Sequence, residues 1–499
     1  MRVASVLFVL AVAGMGAEGP RVAHVGFVSP DVVGITIHEG RVEYGRQIPY
    51  EAKPGDKVRR EGHQRWVTRD GKFLGALVGR DEKILYTPDQ RLGAKLDPRL
   101  LDKVQSYTVG GKSPVAVHRK SKPTDFARVG PWYFDAPMEH VVYLRVQPAP
   151  KAGATVAIRL QGLGLPEQTL VVEPEALRSE AVHVSHLGFR PDDPAKVAFL
   201  SCWMGSGGGV PYKTGMPFTV IDGQGKAVFR GKTTLAKRAT DRTEDAYKNN
   251  HNGADVFLMD FSALKAPGTY RVCVDGIGCS YPFPIGDDVW AKAFVVSARG
   301  FYHQRSGIAL GPPYTTFKRP RAFHPDDGVK VYQSRCPLMD TANGLDSKSG
   351  NFANLVKGRT DTIVPNAWGG YMDAGDWDRR IQHLVVSRLL FELAGLFPDH
   401  FGAVSLNIPE SGGKLPDVVD EALFNLDFYR RLQTAEGGIR GGIESAEHPR
   451  QGEGSWQESL TVMAYAPDEW SSWSYAGVMA RAAHWLATRD AARGKATLD

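Results

Sequence analysis

The sequence predicts a multidomain protein in which strand-rich, sandwich-like domains precede an all-helical domain. Three observations carry this reading. From Arg21 to about Gly286, apolar residues alternate in short runs broken by turn residues. After Gly286 they recur every three to four positions. The 499 residues exceed one ordinary core and suit about three domains.

The N-terminus comes first. Arg2 precedes an apolar run from Val3 to Gly14, and small residues follow at Gly16 and Ala17, the layout of a secretory signal peptide over residues 1–17. The run is shorter than the ~20 apolar residues of a spanning helix, and no later segment reaches that length. A secreted, periplasmic or extracellular protein without stable membrane insertion is expected. Hydrophobic residues make up 42% and charged residues 23% of the chain, as in ordinary globular proteins. The net charge of +6 is spread over scattered Lys and Arg, which argues against a nucleic-acid partner. Four cysteines are too few for a disulfide scaffold and lack the Cys-x-x-Cys spacing of zinc sites.

Residues 20–180 read as an N-terminal β-sandwich-like domain, with runs such as Val32 to Ile37, Val141 to Val146 and Ala154 to Ile158. Residues 181–286 form a second β block. Its start, Val182-His183-Val184-Ser185-His186-Leu187-Gly188-Phe189, echoes Val22-Ala23-His24-Val25-Gly26-Phe27, so the two are read as diverged copies of one sandwich or as a chance likeness. The block closes with Phe257 to Phe261, a turn at Ala266 to Thr269, the strand Tyr270 to Val274 and a hairpin around Asp275-Gly276. About seven short strands in a hundred residues suggest an immunoglobulin-like sandwich. A three-residue turn at Asp275 to Ile277 opposes Cys273 and Cys279. A disulfide in an exported protein and two free buried thiols both fit. Cys202 and Cys336 have no evident partners.

Residues 287–499 are expected to be helical. Trp290, Ala293, Phe294, Ser297 and Phe301 share one face of a first helix. Ile381, Leu384, Val385, Arg388, Leu389 and Ala394 mark a second over Arg379 to Leu396. A third starts at Pro416-Asp417 with Val419, Ala422, Leu423, Leu426 and Tyr429 inward. A fourth covers Ser472 to Ala487 with Val478, Met479, Ala482 and Trp485 inward. Long Gly-, Pro- and Trp-rich connections separate them, where a helical enzyme carries its site.

The string Trp368-Gly369-Gly370-Tyr371-Met372-Asp373-Ala374-Gly375-Asp376-Trp377 sets two carboxylates three residues apart between aromatic rings. Aromatic faces stack on sugars and carboxylates move protons. Inverting glycoside hydrolysis needs one carboxylate to activate water and a separate carboxylic acid about 6.5–9.5 Å away to protonate the leaving oxygen. The plainer reading has these aspartates capping a helix or pairing with Arg379 and Arg380. Trp368, Tyr371, Trp377, Trp456, Trp470 and Trp473 are candidate sugar platforms, with Tyr371, Trp377 and Trp456 selected as substrate-binding. Glu444, Glu447 and Glu453 read as solvated loop charges. His324-Pro325-Asp326-Asp327 reads as a surface turn, and no metal site is assigned.

Gly369 to Asp376 resembles the signature of family 9 glycoside hydrolases, the endoglucanase-type enzymes whose catalytic domain is a barrel of six helix pairs. Phe301-Tyr302-His303-Gln304-Arg305-Ser306-Gly307 is similar to the family's first-helix motif. Leu415-Pro416-Asp417-Val418-Val419-Asp420-Glu421-Ala422 is similar to a helix start that follows the signature. Residues 181–286 resemble the immunoglobulin-like cellulase module that precedes such barrels. The resemblance spans about Val182 to Ala487 and implies an (α/α)6-barrel-type domain of which only about the first half is present. It implies inverting hydrolysis of a β-1,4-linked glucan or related polysaccharide, with Asp376 as catalytic base and Asp373 helping to hold the water. The general acid is then a Glu expected beyond residue 499. No cofactor is required for this chemistry, and a structural calcium is left open. The expected partner is a polysaccharide or oligosaccharide substrate. The residues after the signature, Trp377-Asp378-Arg379-Arg380, depart from the endoglucanase pattern. So does Gly441 to Pro449, where many members carry a substrate-contacting His. The alternatives are a non-catalytic glycan-binding protein and an exo-acting hydrolase on another β-linked sugar such as glucosamine.

Overall fold

A computed structural model describes residues 19–173, 175–350, 352–373 and 379–498. It divides into two compact units, one made of the chain up to Tyr44 together with Asp89–Ala291, the other of Gly45–Pro88 with Lys292–Asp499. The expected signal peptide lies outside the described residues. Among the described residues no helix is long and apolar enough to cross a membrane.

In the first unit, the strands Arg21–Ser29, Val32–His38, Met138–Arg145 and Ala116–Pro123 form one antiparallel sheet in that order. Tyr107–Val109, Thr155–Leu160 and Gln168–Val171 form a second. Side chains alternate between the two faces of a strand. On one face of the larger sheet, Val33, Ile35, Ile37, Val142 and Leu144 join Ile158 and Leu160 of the smaller one. On the other face, Val32, Val141 and Tyr143 enter the core of the second β domain. Burial on both sides explains why Val141 to Leu144 is a continuous apolar run.

That second domain pairs Val182–Val184, Val197–Leu200, Val256–Asp260 and Thr234–Lys237 in one sheet, and Ala227–Lys232, Pro217–Asp222, Gly268–Val274 and Gly278–Cys279 in the other. Phe189, Phe261 and Phe283 pack with ring centroids 5.4–5.7 Å apart. Cys273 and Cys279 are register partners and form a disulfide, which resolves the two readings of this pair. Cys202 and Cys336 are free, the first buried.

In the second unit, Gly45–Pro88 folds as a five-stranded antiparallel sheet around Val67, Leu77 and Leu85. It docks on the 449–458 loop: Gln47 Nε2 donates to Gln457 Oε1 (2.7 Å), the Gly79 N–H to Glu453 Oε1 (2.9 Å) and Arg80 Nε to the Glu458 carbonyl (3.1 Å). The 20–180 stretch, read as one block, is therefore shared between the two units. The four long helices are α1 (Val289–Gln304), α2 (Leu384–Leu396), α3 (Asp417–Arg431) and α4 (Glu469–Ala487). The inward faces predicted for α3 hold without exception: Val419, Ala422, Leu423, Leu426 and Tyr429 are all buried. Two other stripes are corrected. On α1 the buried positions are Val289, Ala298 and Tyr302, and Trp290 is exposed. On α2 they are Leu384, Ser387, Leu390, Phe391 and Ala394, whereas Val385 and Leu389 face outward. Apolar residues are so dense on these two helices that spacing alone allows more than one stripe. The C-terminal part is helical but not all-helical. Its connections build a five-stranded sheet in the order Arg359–Ile363, Val331–Pro337, Val462–Ala466, Gly442–Ser445 and Arg379–Arg380.

Candidate active site

The signature stretch runs antiparallel to the exit of α1. The Ser306 N–H donates to the Gly370 carbonyl (2.8 Å) and the Met372 N–H to the Gln304 carbonyl (2.9 Å). Helix α3 presses on it from the other side. Gly370 has φ +76°, and a Cβ there would sit 2.6 Å from a ring carbon of Phe428. Only glycine lets this backbone come so close. Arg431 donates to the Trp368 carbonyl through Nε (3.0 Å) and Nη2 (2.9 Å), with its guanidinium 4.2 Å from the Trp368 ring centroid. Beyond the aspartates, α3 also grips the returning chain. Asn425 Nδ2 donates to the His383 carbonyl (3.0 Å), and the Tyr429 hydroxyl donates to the Arg380 carbonyl.

A buried ion cluster fixes the near end. Arg305, at 1% exposure, donates through Nε and Nη2 to the two oxygens of Glu421 (3.0 Å each) and through Nη1 to Glu410 (2.9 and 3.0 Å). Burial works against the guanidinium charge, but the attraction of Glu421 and Glu410 outweighs it and raises the Arg305 pKa. The Tyr371 hydroxyl donates to Glu421 Oε1 (2.7 Å), and burial followed by that carboxylate pushes its pKa well up. Tyr371 is 4% exposed, with its ring centroid 5.6 Å from that of Phe301. Expected as a sugar platform, it offers no free face to a ligand here. Its work is to tie the signature backbone to α3.

Asp373 differs from these groups. Its carboxylate is 61% exposed and lies 3.9 Å from Nε2 of His383. His383 Nδ1 donates to the Tyr371 carbonyl (3.0 Å), since a carbonyl only accepts, which leaves Nε2 on the side of Asp373. Asp376 and Trp377 lie outside the described residues. Trp456 is half-exposed and Trp473 largely exposed, whereas Trp368 is held between Arg431 and His324.

Glu444 overturns its reading as a solvated loop charge. It sits on the Gly442–Ser445 strand, fully buried, and accepts from Arg380 Nη2 (2.7 Å), Asn343 Nδ2 (3.2 Å) and the Tyr465 hydroxyl. The strand residues Gly442-Ile443-Glu444-Ser445 show no alternation long enough to separate a strand from a loop. Arg305 and Glu421 lay in the quoted motifs, but their pairing was not legible there.

The His324 turn stays a turn. His324 Nδ1 accepts from the Asp326 N–H (3.2 Å), and Arg321 spans Asp327 with two 2.8 Å bonds. An arginine thus takes the place where a cation would bind, so these residues do not fit a metal. Among the described residues no cluster of three or more His, Cys, Asp or Glu could hold one.

Residues 178–279 match the family model described as the cellulase N-terminal Ig-like domain. The chain is 29% identical over 264 residues to a xyloglucan-specific endo-β-1,4-glucanase of Bacteroides ovatus, covering 52% of this chain and 38% of that protein. It is 26% identical to a cellodextrinase of Butyrivibrio fibrisolvens, covering 46% of this chain and 36% of that one. Among solved structures, a metagenome-derived glycoside hydrolase family 9 endoglucanase aligns at 25% identity over 64% of this chain and 52% of its own, with a TM-score of 0.49. The matched stretches thus span well under half of the curated relatives' lengths.

Proposed function

We propose that the chain is a glycoside hydrolase of family 9 with an N-terminal immunoglobulin-like cellulase module, and that it serves the inverting hydrolysis of a β-1,4-linked glucan or a related polysaccharide outside the cell. Asp376 is the base in this reading and Asp373 helps it hold the attacking water. The observation that carries it is the contrast within one stretch: backbone braced by Arg305, Glu421 and Tyr371 on α3, ending in an exposed Asp373 carboxylate that a water can reach. A general base must be both fixed and accessible. Neither Glu421 nor Glu444 is proposed as the acid, because each is fully buried and held by an arginine, out of reach of a substrate. The barrel-type catalytic fold and action without a cofactor in the chemistry belong to the same proposal, and no site for a structural calcium is assigned.

The test is reducing-sugar release and product anomeric configuration on soluble β-glucans, for the gene product carrying this chain and for its Asp376→Asn variant. Release of the inverted anomer that falls at least about a thousandfold in Asp376→Asn supports the assignment. Glycan binding with no release from the unaltered protein would leave a non-catalytic binder. Release of single sugar units alone would instead indicate exo action.

A further inference from the structure

Far from the signature in sequence, the outer face of the immunoglobulin-like sheet carries a cleft of about 920 Å³, within the roughly 300–1,000 Å³ typical of ligand sites. We propose that this cleft is a non-catalytic binding site for a neutral glycan chain, a reading that rests on the polysaccharide substrate proposed above.

Its lining has the chemistry a sugar requires. Trp203 and Tyr281 line it at 46% and 45% exposure, and Phe199 at 37%. Large aromatic side chains left this exposed give apolar surface that the C–H side of a pyranose can cover, Tyr281 through the part of its ring that Arg178 leaves open. Polar groups lie between them: His183, the cross-strand partner of Phe199, and Asn252 supply hydrogen-bonding edges for hydroxyls. The cleft is wide but nearly neutral. Lys237 pairs with Glu244 at 2.9 Å, Lys120 pairs with Glu180 at 3.4 Å, and the Arg178 guanidinium stacks 4.3 Å from the Tyr281 ring centroid. An anionic ligand would have to break these pairs, whereas a polyhydroxylated neutral chain can bond to their outer edges. Exposed aromatics beside internally paired charges therefore select an uncharged sugar over an acidic one.

The sheet explains why these residues point outward. His183 and Phe199 are register partners on adjacent strands, and Val182 and Leu200 turn into the core from the positions beside them. The period of two thus devotes one face to the sandwich and leaves the other to a ligand.

The experiment is affinity electrophoresis of the full protein in gels containing xyloglucan, mixed-linkage β-glucan or polygalacturonate, in an Asp376→Asn background. Trp203→Ala, Tyr281→Ala and Phe199→Ser are compared with Tyr247→Ala, an exposed aromatic outside the cleft. The expected result is retardation by at least one neutral glucan, with Kd rising about tenfold in the cleft variants and unchanged in Tyr247→Ala. Variants are compared only at matched Tm, and the strand-surface change Phe199→Ser carries the test should Trp203→Ala fail to fold. Unchanged Kd in all folded cleft variants, or retardation by polygalacturonate alone, overturns the proposal. Hydrolysis that persists in Asp376→Asn overturns the base assignment instead and leaves this binding comparison readable.

Discussion

Two ion clusters brace the candidate site from either side, and they differ in how far water is shut out. Arg305 and Glu421 are 1% and 0% exposed, with the Tyr371 hydroxyl closing one side of this pair and the 37% exposed Glu410 at its outer edge. Glu444 is as deeply buried, but its partner Arg380 is 21% exposed and shares the carboxylate with Asn343 and Tyr465. A charge left unpaired by mutation is costly in proportion to its isolation from water and from other donors. The first cluster is accordingly a rigid clamp, the second a pair with substitutes at hand. The exposed Asp373 carboxylate lies 3.9 Å from Nε2 of His383. The chain thus encloses Glu421 and Glu444, which hold the backbone, and exposes Asp373.

Arg305→Ala gives the sharpest test. It leaves Glu421 buried without its guanidinium and is expected to cost about 3–5 kcal/mol, read as a large fall in Tm or loss of soluble protein. The matching Arg380→Ala should cost only about 1–3 kcal/mol, since Asn343 and Tyr465 still donate to Glu444. Equal losses in calorimetry of the two variants would break the comparison. Tyr371→Phe removes one donor from a carboxylate that keeps Arg305, and a loss of about 1 kcal/mol is expected. A sugar-stacking role for Tyr371 predicts the opposite pattern, with Phe retaining both stability and affinity while Ala loses affinity alone.

The smallest effect concerns Asp420 at the start of α3. Burial first, then the nearby Glu410, pushes its pKa up to about 6 from an ordinary 3.8. A carboxyl raised in the folded state binds more protons there than in the unfolded chain, so stability falls as pH rises through the window from about 4 to 6. Asp420→Asn should therefore raise Tm modestly at pH 7.5 and have no such advantage below pH 4. A constant difference across that range would show that the carboxyl does not titrate as its surroundings dictate.

Much of the architecture was legible in advance. Alternation located the strands of the first unit, and the helical period located α3 and α4, because both signals depend on neighbours within a few residues. The Cys273–Cys279 turn is equally local. The stripes of α1 and α2 were misread where apolar residues crowd both faces, and only the packing partner breaks that tie. Glu444 was misread because a four-residue strand leaves too short a pattern.

By itself, then, the sequence determined the order of strand-rich and helical parts, the turn that brings two cysteines together and the stretch that carries the two aspartates. Tertiary structure alone decided which carboxylates are enclosed and which is exposed. Arg305 reaches Glu421 across 116 positions, and Gln47 reaches Gln457 across 410. No local period encodes such pairs. They arise when distant segments desolvate one another, and the free energy of a buried charge depends on what arrives to surround it.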